Sequence, residues 1–124
     1  MSNSHQHILV IDDNEDILHM LKTMLELKRY KVSIRDNAED ITATIFDLKP
    51  NIIIMDMLLS GMDGRDVCRE LKKNPSTSNI PLLMISAHPN AQSTCLDAGA
   101  DYFLSKPFDM NDFFDKVSLA SVKI

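Results

Sequence analysis

Five residues of this 124-residue chain are of types that can do chemistry together: Asp12, Asp13, Asp56, Ser86 and Lys106. Each follows an apolar run of strand length. Asp12 and Asp13 come after His7-Ile8-Leu9-Val10-Ile11, and Asp56 ends Ile52-Ile53-Ile54-Met55. Ser86 ends Leu82-Leu83-Met84-Ile85, and Lys106 lies just past Tyr102-Phe103-Leu104. Taken singly, most of them have ordinary explanations. An acidic pair after a strand often closes an Asx turn or caps a helix, a serine there is often a cap, and a lone lysine is normally solvated. Asp56 is different, because an acid ending an all-apolar run and followed by Met57, Leu58 and Leu59 is costly to bury without a ligand. Three carboxylates brought together repel one another and raise their own pKa values unless a hard divalent cation sits among them. Mg2+ suits such oxygen ligands, keeps part of its water and accepts a phosphoryl oxygen.

The elements that must position these residues follow from periodicity. Lys31 to Arg35 reads as a second strand, and the uninterrupted run Ile52 to Met55 suits a central parallel strand covered on both faces. Between the strands lie helical stretches. Ile17, Leu18, Leu21, Met24 and Leu25 share one face after Asn14 as N-cap, with Glu15 and Asp16 in the first turn and Lys28 and Arg29 in the last. Ala38, Ile41, Ile45 and Leu48 trace a second helix ending before Pro50. A loop through Ser60-Gly61-Met62-Asp63-Gly64 leads to a third with Val67, Cys68 and Leu71, and Asn74 to Asn79 forms a polar connection. A fourth, weakly apolar helix runs from about Pro89 to Ala98 and closes at Gly99. A fifth starts near Asp109 and buries Met110, Phe113, Phe114 and Val117. Strands and helices that alternate in this way predict one doubly wound α/β domain, a parallel five-stranded sheet with five helices on both faces. Its ligand site lies beyond the carboxyl ends of the strands, where the five polar residues fall.

Composition narrows the function. Apolar residues make up 44% and charged residues 25%, as in ordinary globular domains, and the formal net charge is −5 with no Lys/Arg run. That balance argues against direct nucleic-acid binding. No stretch approaches the roughly 20 apolar residues of a membrane span, and the polar start, residues 1–6, is not a secretory signal. Cys68 and Cys95 are too far apart for a CxxC motif and read as reduced core residues, so a cytoplasmic location is expected.

The chain resembles the response-regulator receiver family, the CheY-like domains, over almost its whole length. The motifs that carry the resemblance are Ile8-Leu9-Val10-Ile11-Asp12-Asp13-Asn14, Ile54-Met55-Asp56-Met57 through Gly61-Met62-Asp63-Gly64, Ile85-Ser86-Ala87, and Gly99-Ala100-Asp101-Tyr102-Phe103-Leu104-Ser105-Lys106-Pro107-Phe108. The resemblance implies a flavodoxin/CheY-like sheet of order 2-1-3-4-5 in a single receiver domain, residues 1–124, with no output domain. It implies Asp56 as phosphoryl acceptor, with Mg2+ held by Asp13, Asp56 and the Leu58 backbone carbonyl and by Asp12 through water. It further implies that Ser86 and Lys106 contact phosphoryl oxygens, that the Lys106-Pro107 bond is cis, and that Phe103 is a switch aromatic that turns inward on modification. The implied partners are a histidine kinase or histidine phosphotransfer domain, and a downstream protein on the face made by the fourth helix, fifth strand and fifth helix. Ser60 stands where the family often has proline, a change expected to loosen that loop. Phe103 replaces a frequent tyrosine, and Leu58 and His88 occupy positions expected to tune phosphoryl lifetime.

Three rivals are weaker. A haloacid-dehalogenase-type phosphatase has a second acid two residues after its acceptor, where this chain has Leu58. A flavodoxin-like FMN protein would want a Ser/Thr/Gly-rich phosphate loop after the first strand, where an acidic pair repels anions. A receiver-like module that binds partners without phosphorylation would not need all five residues.

Overall fold

Side chains that alternate along the central strands divide into two apolar clusters, one on each side of a sheet. Leu9, Ile11, Ile53, Met55, Leu82 and Met84 pack on one side with Ile41, Ile45, Val67, Cys68, Leu71, Ala91 and Cys95. Ile8, Val10, Ile52, Ile54, Leu83 and Ile85 pack on the other with Leu18, Leu21, Leu25, Phe113, Val117 and Ala120. Both sets of alternate residues are buried, which is why these strands read as continuous apolar runs instead of alternating ones. Burying each such aliphatic side chain contributes about 1.5–3 kcal/mol, so the central strands anchor everything attached to their ends.

The structure, a computed structural model, describes residues 6–88 and 90–122. Residues 1–5 of the expected polar tail and Pro89, placed by the sequence at the start of the fourth helix, lie outside the described residues. In chain order the elements are β1 (His7–Ile11), α1 (Glu15–Leu27), β2 (Lys31–Arg35), α2 (Ile41–Leu48) and β3 (Ile52–Asp56). There follow β4 (Leu58–Leu59), β5 (Met62–Asp63), α3 (Gly64–Lys73), β6 (Leu82–Ser86), α4 (Ala91–Asp97), β7 (Tyr102–Ser105) and α5 (Met110–Val122). The main sheet is parallel throughout in the order β2-β1-β3-β6-β7, which is the expected 2-1-3-4-5 order once the small β4-β5 hairpin is set aside. Helices α1 and α5 cover one face, and α2, α3 and α4 cover the other. The order reverses between β1 and β3, so the crevice lies above those two strands.

The structure corrects the sequence reading at several helix ends. Helix α1 stops at Leu27, because Arg29 adopts a left-handed φ of 72° and no basic residue is left in the last turn. Helix α2 begins at Ile41 and not at Ala38, because Asp40 is left-handed at φ 52°, although Ala38 stays in the core. Helix α4 is a seven-residue segment, shorter than expected. Asn14 does cap α1, its side chain accepting from the Ile17 amide at 3.1 Å. The hairpin β4-β5 was not foreseen. It turns at Gly61, whose φ of 75° favours glycine.

At the opposite end of the sheet, His7 sits with Nδ1 3.0 Å from the Leu48 carbonyl and Nε2 2.7 Å from Ser33 Oγ. Burial lowers its pKa below the usual 6.5, the Leu48 hydrogen bond opposes that, and Lys31 adds to it. The unfolded chain therefore binds this proton more readily than the folded one. Stability present above pH 6.5 is lost as pH falls through the folded-state value. Urea titrations of His7→Gln from neutral to about pH 5 should accordingly show a flatter fall in midpoint than wild type. Identical slopes would assign the titration to another group.

Candidate functional site

Asp12 lies one residue beyond β1 and is 3% exposed, with Oδ1 accepting from the Asn14 amide at 2.9 Å. Asp13 is exposed, and its Oδ2 accepts a hydrogen bond from Ser60 Oγ at 2.9 Å. Ser60 thus ties the β4-β5 turn to the acidic pair, which reverses the expectation that it loosens the loop. Asp56 is the last residue of β3 and half-buried. Carboxylate oxygens of Asp12, Asp13 and Asp56 lie within 4.8 Å of one another.

Among the described residues, one cation is paired with this cluster. Lys106, one residue past β7, places Nζ 3.3 Å from Asp56 Oδ1 and 3.6 Å from Asp12 Oδ2. Its own backbone is fixed by the amide donating to the Ser86 carbonyl at 2.8 Å, and the Lys106-Pro107 bond is cis. Burial raises the Asp56 pKa above the usual carboxylate value; Lys106 opposes this, while the charges of Asp12 and Asp13 add to it. A half-buried carboxylate is therefore held between one lysine and two other acids. The donor set is all oxygen and its charge exceeds what Lys106 neutralises, so these residues fit a hard divalent cation such as Mg2+.

The rest of the rim is set by close packing. The Gly64 amide donates to the Met57 carbonyl at 2.6 Å, and a Cβ on Gly64 would stand 2.7 Å from the Asp56 carbonyl oxygen. Only glycine lets the start of α3 approach the end of β3 this closely. Ser86 ends β6 at 1% exposure, its Oγ accepting from the His88 amide at 3.0 Å. Leu58, two residues past Asp56, is 50% exposed and begins the hairpin strand β4. Phe103 is buried at 9% exposure.

Sequence reasoning passed over one group of residues. Asp63 caps α3 by accepting from the Arg65 amide at 2.9 Å, and the Arg65 side chain pairs with Asp63 at 2.6 Å and reaches Thr94 of α4 at 3.1 Å. Asp63 as a cap residue, with the acidic Asp66 in the first turn, was a helix-start signal. Nothing in the sequence linked it to Thr94.

Comparison with known proteins agrees with this geometry. The family described as "Response regulator receiver domain" matches residues 8–118. The phosphate regulon transcriptional regulatory protein PhoB of Pseudomonas aeruginosa is 34% identical over 82% of this chain and 45% of its own length. The signal receiver domain of a signal transduction histidine kinase from Syntrophus aciditrophicus has 28% identity and a TM-score of 0.84 over 93% of this chain and 89% of that one. The response regulator protein TrrA of Thermotoga maritima, solved in complex with Mg2+-BeF, has 25% identity and a TM-score of 0.83 over 93% of this chain and 98% of that one. The chain spans about half or less of the length of the curated relatives it matches.

Proposed function

The chain belongs to the response-regulator receiver family, and from that premise we propose that Asp56 accepts a phosphoryl group from the phosphohistidine of a histidine kinase or histidine phosphotransfer domain. The observation that carries this is the placement of Asp56 at the end of β3, half-buried, with Lys106 Nζ at 3.3 Å and two further carboxylates beside it. An Asp56 oxygen attacks phosphorus, the P–N bond breaks with its electrons going to the imidazole, and an aspartyl phosphate results. Lys106 supplies a fixed positive charge where the phosphoryl oxygens arrive, and the Ser86 hydroxyl donates to one of them. Positioning and charge carry most of such a transfer.

Asp13, Asp56 and the Leu58 carbonyl would hold Mg2+ directly, and Asp12 would do so through water. When bound, the ion neutralises the acids and the incoming phosphoryl oxygens, which lets an anionic donor approach. The aspartyl phosphate is later hydrolysed by the domain's own site, so the protein acts as a timed signal and not as a metabolic enzyme. Downstream, a protein target docks on the face of α4, β7 and α5. The chain works in the cytoplasm without touching nucleic acid directly, and among the described residues no helix is long and apolar enough to cross a membrane.

Incubation with acetyl phosphate and Mg2+ followed by intact-mass measurement should show one added phosphoryl group per chain. No uptake, or uptake of several groups, would contradict the proposal.

A further inference from the structure

Two loops converge on Asp56, and each leads into a helix. On one side the Met57 carbonyl accepts from the Gly64 amide, and α3 starts with Asp63 as its cap. On the other, Ser86 Oγ holds the His88 amide, and the His88 carbonyl accepts from the Ala91 amide at 3.1 Å at the start of α4. The far ends of the two paths are joined by a hydrogen bond between side chains. Arg65 lays Nε and Nη2 on the two Asp63 oxygens at 2.6–3.2 Å, which fixes the guanidinium plane, and Nη1 then donates to Thr94 Oγ1 at 3.1 Å. The Thr94 hydroxyl donates its own proton to the Ala91 carbonyl at 3.0 Å, so it is oriented to accept.

We propose that Arg65, acting through Thr94, is a positioning residue that opposes phosphoryl uptake by fastening α4 in the arrangement of the unmodified protein. This rests on Asp56 being the acceptor. Helix α4 is otherwise weakly held: it has seven residues, its N-cap Asn90 makes no side-chain capping bond, and it buries only Ala91 and Cys95 within its span. When the Ser86 hydroxyl turns to a phosphoryl oxygen it releases the His88 amide, and the turn into α4 loses its tie. The Arg65 bond to Thr94 then resists the shift. A contact made in one state and not in the other biases the equilibrium by its own free energy, and removing it must strengthen the binding of whatever favours the other state. Thr94 is exposed, so the bond is weak and the expected effect is about threefold.

The test is calorimetric titration of beryllofluoride with Mg2+ into wild type, Thr94→Val and Thr94→Ser, together with amide hydrogen exchange over residues 91–98 of the unmodified proteins. Thr94→Val should bind about threefold tighter and exchange faster in α4, while Thr94→Ser, which keeps the hydroxyl, should match wild type. A loss of structure alone would not tighten binding. If wild type binds beryllofluoride and Thr94→Val binds it equally or more weakly, or if the serine variant behaves like the valine one, this proposal is overturned by itself. A wild type that fails to bind beryllofluoride overturns the acceptor assignment, and this proposal with it.

Discussion

Asp56→Asn is expected to abolish phosphoryl uptake and, at neutral pH, to raise Tm by about 4 °C, the shift that roughly 1 kcal/mol produces in a domain of this size. Uptake is lost because an amide cannot attack phosphorus, and the gain in stability comes from removing a buried charge. Burial raises the Asp56 pKa, with Lys106 opposing and Asp12 and Asp13 reinforcing the rise. The folded state therefore takes up this proton more readily than the unfolded one, and stability falls as pH rises from the ordinary carboxylate range through the folded-state value. At neutral pH the full cost of holding the carboxylate ionised is present, and asparagine removes it while keeping the shape. Thermal melts of both proteins at neutral and acid pH check the sign: the difference in Tm should shrink on acidification. A variant less stable than wild type at neutral pH would mean that the Lys106 contact outweighs the burial.

Asp13→Ala, or removal of divalent cation with EDTA, is expected to slow phosphoryl uptake by about a hundredfold or more, since the metal's share of charge stabilisation is worth several kcal/mol. Mg2+ should also raise the Tm of wild type and leave that of Asp13→Ala unmoved, because a ligand stabilises only a fold that binds it. Ser60→Ala, which leaves Asp13 in place and removes its 2.9 Å partner, should fall between the two. Undiminished transfer in EDTA would take the metal out of the mechanism.

The layout of the fold was legible because both faces of the sheet are covered. Each strand then reads as a solid apolar run, and the polar residue that ends it marks the rim, as at Ile52 to Asp56 and Leu82 to Ser86. That alone brought Asp12, Asp56, Ser86 and Lys106 to one edge. The hairpin was not legible, since strands of two residues, Leu58–Leu59 and Met62–Asp63, leave no periodicity to read. Left-handed residues at Arg29 and Asp40 moved helix ends because neither is a glycine that would signal the conformation. The Arg65 bond to Thr94 joins residues on two helices that only the folded sheet brings together.

In the proposed mechanism the phosphoryl group resides on Asp56 and on no other acid of the cluster. An aspartyl phosphate is reduced by borohydride to homoserine, which marks its position permanently. Peptide mapping by mass spectrometry of the phosphorylated, reduced protein should place homoserine at residue 56, with Asp12 and Asp13 unchanged. Homoserine at either of those positions, or none anywhere in a protein that has gained a phosphoryl group, would contradict the account.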